Sequence, residues 1–263
     1  MPSSADFSAF SLAGKTAIVT GGSGGIGRGC ARAFARAGAN VVIASVPPEE
    51  IPPAVMEVEA LGVGALGVTV DVSNGAQVAE MVKRSMERFG RIDILVNVAG
   101  GSYSRSPYTP QFARAPLLEL SDEDFMGAFE VNVKGTFLSA KAVVPIMKAQ
   151  GKGVIVNIGS SAGRGAPTRP EMAAYAAAKA AVMNLTINMA HQWGPEIRVN
   201  CIAPGVIDTP RPGMDRADVR AAAARIALGR TGTPDDIGHV ALFLASDGAA
   251  FVNGAIIEVH GGG

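Results

Sequence analysis

The chain has 263 residues, 48% of them hydrophobic and 17% charged, with 23 Lys+Arg against 23 Asp+Glu. That composition supports a large core and one α/β domain, and the absence of net charge argues against nucleic acid or an anionic membrane as partner. The two cysteines, Cys30 and Cys201, sit far apart in apolar stretches and match no metal spacing, so both read as small buried residues and no metal site is expected.

Residues 1–12 read as a loose arm. Met1–Asp6 has neither a charged region nor an apolar core of the kind a secretory leader carries, and no run is long enough to span a bilayer. A cytoplasmic location is the expectation. The first apolar run, Ala17-Ile18-Val19, suits a buried parallel strand over 16–20. Gly21, Gly22, Gly24 and Gly25 then crowd a turn, and after Ile26 and Gly27 a helical pattern runs over 26–38. Strand, glycine turn and helix start in that order form an anion cradle: glycines let the backbone approach a phosphate, and the first free N–H groups of the helix point at it.

Further strands are predicted near 40–45, 65–70, 92–97, 153–158, 197–202 and 255–259. Helices are predicted near 53–61, 75–89, 122–149, 172–193 and 234–246. Gly38 and Gly62 fall where helices should end, and Ser121 with the acidic run after it reads as a capped helix start. Strands alternating with helices predict a doubly wound parallel sheet with helices on both faces, seven strands in order 3-2-1-4-5-6-7. Three segments exceed what such connections need: Gly101–Leu120, Arg164–Glu171 and Asp208–Gly232. Each follows a strand's C-terminal end, where open α/β sheets bind ligands, so these are the substrate-binding candidates, with 208–232 as a lid. They carry Tyr103, Arg105, Tyr108, Phe112, Arg114, Arg164, Arg169, Arg211, Pro212, Met214 and Arg216, with Met172 just beyond the second. Apolar groups mixed with guanidiniums suit a ring or chain bearing an anionic group.

Tyr175 and Lys179 stand four apart in a helical stretch and face one way. An ammonium fixed beside a phenol lowers its pKa from about 10 toward the range useful for proton transfer. The strand Val154–Ile158 leads to Ser160, a hydroxyl able to bind a carbonyl at the same edge, with Ser161 as rival.

Taken together, Thr20-Gly21-Gly22-Ser23-Gly24-Gly25-Ile26-Gly27, Asp71-Val72, Asn97-Val98-Ala99-Gly100, Asn132, Ser160, Tyr175-Ala176-Ala177-Ala178-Lys179 and Pro204-Gly205-Val206-Ile207-Asp208-Thr209 resemble, in order, the short-chain dehydrogenase/reductase pattern. Bacterial 3-oxoacyl-carrier-protein reductases and 7α-hydroxysteroid dehydrogenases are nearest in character. The resemblance covers about Leu12 to Gly263 and implies a single Rossmann domain over 1–263 that interconverts a secondary alcohol and a ketone with NAD(P)(H). It implies Tyr175 as acid/base, Lys179 as its pKa modulator and ribose ligand, Ser160 on the carbonyl, and Asn132 holding a water that leads to solvent. It further implies a cofactor site of Gly21, Ser23, Gly25, Ile26, Gly27, Ser45, Asp71, Val72, Asn97, Ala99, Gly100, Pro204, Gly205, Ile207 and Thr209, and a homotetramer or homodimer. The alternatives are an enoyl reductase of the same family and a catalytically silent nucleotide-binding protein. Four features depart from the pattern, one of them a Gly101–Leu120 segment longer than is typical. Ser45 stands where NAD-preferring relatives have Asp, which leans the expectation to NADP(H). Val98 replaces a second Asn. The Ser160–Tyr175 interval is longer than usual.

Overall fold

The computed structural model describes residues 8–101, 115–165, 170–209 and 216–263. Its strands are β1 (Thr16–Thr20), β2 (Asn40–Ser45), β3 (Ala65–Thr69), β4 (Ile94–Asn97), β5 (Gly153–Ile158), β6 (Ile197–Pro204) and β7 (Ile256–Val259). All pair in parallel as one sheet, in order β3-β2-β1-β4-β5-β6-β7, as the alternation of patterns predicted. The α-helices among the described residues are α1 (Gly25–Arg36), α2 (Ile51–Glu59), α3 (Gly75–Phe89), α4 (Asp122–Phe129), α5 (Gly135–Ala149), α6 (Ala173–Trp193), α7 (Arg216–Ala223) and α8 (Pro234–Ala245).

Strand residues alternate between two cores. Ala17, Val19, Val41 and Ile43 pack with Phe34 of α1 and Ile237 and Leu244 of α8. Ile18, Val42, Leu95 and Ile155 pack on the opposite face with Met81 of α3, Val143 of α5 and Met189 of α6. A sheet covered on both faces needs apolar residues at both parities, and this is why the strands read as continuous apolar runs. Helix α3 starts on an Asn74 side chain that accepts from Ala76 N at 3.0 Å, and it stops at Gly90, whose φ of +73° only glycine adopts freely. Burial pushes the Cys30 thiol up to about 12 and the Cys201 thiol up to about 11, consistent with two inert packing residues.

The sequence reading needs two corrections. The arm expected over 1–12 is not loose from Ser8 onward: Ser8–Phe10 form a 3₁₀ turn, Leu12 is fully buried, and the Phe10 ring lies 6.5 Å from that of Phe243. The helix predicted over 122–149 is interrupted by a π-helical turn at Glu130–Lys134. There Asn132 Nδ2 donates to Ala128 O at 2.8 Å and Thr136 Oγ1 donates to Asn132 O at 2.7 Å, so side chains take up carbonyls of the widened turn. Within the segment expected as a lid, α7 forms, and the later part is pinned down. Leu228 N donates to Gly261 O at 3.1 Å, and Ile207 bridges to Gly232.

Helix α8 packs across α1 at glycines: a Cβ on Gly238 would come 2.5 Å from Gly29 O. A capping box holds the first turn of α8, with Thr233 Oγ1 accepting from Asp236 N at 3.3 Å and Asp236 Oδ2 accepting from Thr233 N at 2.7 Å. The Arg230 guanidinium, 2.7 Å and 3.0 Å from the two Asp236 oxygens, holds that carboxyl well below the usual carboxylate range. A carboxylate whose pKa is depressed by folding adds stability above its unfolded pKa of about 4, and that stability is lost as pH falls through the folded value. The melting temperature of the wild type is therefore expected to fall on acidification below about pH 4. Asp236→Asn should lower it already at pH 7 and flatten the acid decline, as read by calorimetry across pH. Thr233→Ala should cost about 1 kcal/mol.

Candidate functional site

The C-terminal ends of β1, β4, β5 and β6 lie side by side, and the turns that leave them carry most of the residues singled out in the sequence. The glycine turn after β1 is tight. Gly21 sits at φ +65°, and a Cβ there would lie 3.1 Å from Ala99 N. A Cβ on Gly27 would overlap the Gly21 carbonyl oxygen, so the start of α1 packs directly on the turn. Gly25, at φ +47°, faces Thr209 beyond β6, with a Cβ position 3.2 Å from Thr209 Cγ2. The Thr20 hydroxyl accepts from Val98 N and Ala99 N, both at 3.1 Å, tying the β4 turn to β1. The result is a backbone-lined cradle between the β1 and β6 turns at a helix N-terminus.

The cradle fits a nicotinamide dinucleotide on two independent observations. Helix α1 starts at Gly25 after a Gly24 N-cap with no side-chain cap, so its N-terminus is open to a pyrophosphate. The buried Thr209 Oγ1 has no hydrogen-bond partner among the described residues, an orphan that a carboxamide would satisfy.

Lys179 and Tyr175 project from one face of α6. Lys179 is 4% exposed, its Nζ donates to Ile158 O at 2.8 Å and lies 5.8 Å from the centre of the Tyr175 ring. The β5 carbonyl thus fixes the ammonium. Gly100 has its Cβ position 3.4 Å from Lys179 Nζ and against Asn132 Oδ1, so the two polar groups flank one point at the end of β4. Ser160 Oγ accepts from Ala162 N at 3.2 Å, which leaves its proton free to donate outward. The short turn it caps, Ser161–Arg164, is pressed onto α6 at Gly163, where a Cβ would meet Ala180 N at 2.7 Å. That close approach keeps Ser160 beside α6 despite the long interval to Tyr175.

The other residues singled out in the sequence make the following contacts. Asn132 is engaged with backbone: Oδ1 accepts from Gly101 N at 3.1 Å, and Nδ2 donates to Gly101 O at 2.8 Å. The Asn97 side chain is buried between strands, with Nδ2 donating to Asn157 Oδ1 at 2.9 Å. Asp71 caps its own turn, accepting from Ser73 N at 2.9 Å and Ser73 Oγ at 2.7 Å. The Val72 side chain is buried against Gly135. Ile26 packs partly against the core. Pro204 ends β6, and Gly205 N donates to Val259 O at 3.0 Å. Ile207 is buried where it bridges to Gly232.

Of the substrate-wall candidates, Tyr103, Arg105, Tyr108, Phe112, Arg114, Arg169, Arg211, Pro212 and Met214, and the Arg216 side chain, lie outside the described residues. Arg164 Nη2 is described and pairs with Glu258 Oε1 at 2.6 Å. Leu117 and Leu120, from the tail of the first long segment, line a groove with Phe125 and Met126 of α4.

Sequence reasoning missed Asn157. Its Nδ2 donates to Thr186 Oγ1 at 3.0 Å, and Thr186 Oγ1 donates to Val182 O at 2.8 Å. Asn97, Asn157 and Thr186 thus form a buried chain that joins β4 and β5 to α6. The available signal was a polar residue within an otherwise apolar strand, in register with Asn97.

A family model described as Enoyl-(Acyl carrier protein) reductase matches residues 21–263. The chain is 36% identical to 3-oxoacyl-[acyl-carrier-protein] reductase FabG of Thermotoga maritima, over 95% of this chain and 98% of that protein. It is 39% identical to (2S)-[(R)-hydroxy(phenyl)methyl]succinyl-CoA dehydrogenase subunit BbsD of Thauera aromatica, over 94% and 96%. Among solved structures, 7α-hydroxysteroid dehydrogenase complexed with NADH and 7-oxo glycochenodeoxycholic acid superposes with a TM-score of 0.85 at 35% identity, covering 97% of this chain and 96% of that one. With the seven-stranded parallel sheet, these similarities show that the chain belongs to the short-chain dehydrogenase/reductase family of oxidoreductases, which act on alcohols and ketones with NAD(P)(H).

Proposed function

We propose that Tyr175 is the acid/base of a secondary-alcohol and ketone interconversion, with the Lys179 ammonium, fixed by the Ile158 carbonyl, as the observation that carries the reading. When bound, the nicotinamide accepts or supplies the hydride. In the oxidative direction the Tyr175 phenolate takes the hydroxyl proton, and in reduction the phenol returns it to the carbonyl oxygen. Lys179 stabilises the phenolate electrostatically and donates to the cofactor ribose when it is bound. Ser160 donates its free proton to the substrate oxygen. Asn132 fixes the backbone at Gly101, and a water between its Oδ1 and Lys179 Nζ would carry the proton outward. Gly21, Ser23, Gly25, Gly27, Ala99, Gly100, Gly205, Ile207 and Thr209 form the cofactor cradle. The side chains of Asn97 and Val72 hold the frame, so their contribution to the cofactor comes through backbone. Asp71 orders the turn beside the adenine position.

The substrate we propose is a ring or chain with an anionic group, bordered by the segment 208–232. Two relatives support this, since their names specify a succinyl-CoA and a glycine-conjugated oxo-steroid acid. Exposed Phe125 and Met126 on α4 and Phe137 on α5 support self-association as dimer or tetramer, which light scattering at micromolar concentration tests.

The family model's description favours a second reading, reduction of a carbon–carbon double bond. Saturated ketones separate the two. Oxidation of reduced cofactor with a saturated ketone is expected, and turnover confined to enones would favour the second reading. Ser160→Ala should lower kcat with saturated ketones by about 10-fold or more, through loss of one charge-stabilising donor, while cofactor affinity stays unchanged. Cofactor binding without turnover across a broad panel of alcohols, ketones and enones would instead indicate a silent nucleotide-binding protein.

A further inference from the structure

The end of β2 has no carboxylate of its own, yet one reaches it from farther along the chain. Ser45 Oγ lies 2.7 Å from Ser23 Oγ in the glycine turn, and Ser23 Oγ donates to Glu50 Oε2 at 3.3 Å. Glu50 comes five residues after Ser45. It returns to the glycine turn because Pro48–Glu50 form a 3₁₀ turn, with Glu50 N donating to Pro47 O at 3.2 Å. The next residue, Ile51, is buried and anchors the turn, with its Cγ2 2.6 Å from the position of a Cβ on Gly67. The Glu50 carboxylate lies over the start of α1: Oε2 is 3.7 Å from where a Gly24 Cβ would be.

The two arginines of α1 nearest this corner, Arg28 and Arg32, are matched elsewhere. Arg28 Nε pairs with Glu57 at 2.6 Å, and Arg32 pairs with Glu57 at 3.4 Å and with Asp235. Val46, the residue after β2, offers no charge. The corner therefore presents one carboxylate and two hydroxyls. A ribose 2′,3′-diol supplies two O–H donors that such a set accepts. A 2′-phosphate brings like charge against Glu50 and meets only neutral donors in Ser23 and Ser45.

We propose that Glu50 selects the cofactor, accepting the adenosine ribose of NAD(H) and repelling the 2′-phosphate of NADP(H). This rests on the nicotinamide-cofactor reading above and reverses the preference expected from Ser45 alone. The test is titration of the purified protein with NADH and with NADPH, following nicotinamide fluorescence, with melting curves to confirm folding. The wild type is expected to bind NADH about 10-fold or more tighter than NADPH, and the gap should narrow at high salt. Glu50→Gln should shrink it about 10-fold, mainly by tightening NADPH, and Glu50→Lys should invert it. Binding of both nucleotides with equal affinity, or a ratio unmoved by both substitutions, overturns the role of Glu50 and leaves the cofactor reading intact. Failure of the wild type to bind either nucleotide overturns both.

Discussion

Tyr175→Phe is expected to lower kcat by about 10²-fold or more while leaving cofactor affinity and melting temperature nearly unchanged. The substitution keeps the ring, and with it the packing on α6, and removes only the oxygen. In the hydride step, charge builds on the substrate oxygen and a proton must reach it. Ser160 is too weak an acid to serve, and Lys179 Nζ is held by Ile158 O. Lys179→Met sharpens the test. Loss of the ammonium should move the active pH range upward, because the phenol loses the cation that favours its ionised form, and should weaken cofactor binding at the same time. It should also destabilise the fold by about 1–3 kcal/mol, since the Ile158 carbonyl loses its buried donor. The measurements are kcat against pH, cofactor affinity by fluorescence, and thermal melting. Turnover by Tyr175→Phe close to wild type would move the proton donor elsewhere.

Asn157→Ala is expected to be the most destabilising single change near the site, at about 2–4 kcal/mol. It leaves Asn97 Nδ2 without its acceptor in a closed interior and takes from Thr186 Oγ1 the donor it holds at 3.0 Å. A change of that size should lower the melting temperature by roughly 5–15 °C for a domain of this length. Because the chain Asn97–Asn157–Thr186 aligns α6 with the strands beneath it, kcat should fall more than cofactor affinity does. A melting temperature within a degree or two of wild type would show that the polar chain is dispensable.

The strands were legible because a sheet buried on both faces demands apolar residues at both parities, and Ala17–Val19, Val41–Ala44 and Val154–Val156 supplied them as continuous runs. Helix boundaries followed where a side chain or a glycine enforces them, as at Asn74 and Gly90. The π-helical turn at Asn132 was not legible, because it depends on which carbonyls two side chains meet after folding. Tyr175 and Lys179 could be paired from their spacing alone, since helical geometry fixes their common face. The partners of Asn97 and Asp71 could not, because a residue at a strand end points either into the sheet or out to a ligand, and sequence position does not decide which. Glu50 was hidden for another reason. Its carboxylate reaches the glycine turn only through the path of 47–50, so a reading by position along β2 assigns the corner to Ser45 alone.

Every pairing in the sheet joins strands consecutive in the chain except β1 with β4. Strands β1 to β3 are therefore complete as a set during synthesis while one side of β1 still lacks its neighbour. The Thr20 hydroxyl must wait for backbone N–H groups 78 and 79 residues later in the chain. Closing that gap is a long-range event with a large loop entropy, so it should be late and slow relative to pairing within each half. Until it occurs, the β1 edge is open to strands of other molecules. Pulsed hydrogen exchange during refolding should find the amides of β2 and β3 protected before those of Val98 and Ala99, and high protein concentration should divert chains to aggregates before that second protection appears.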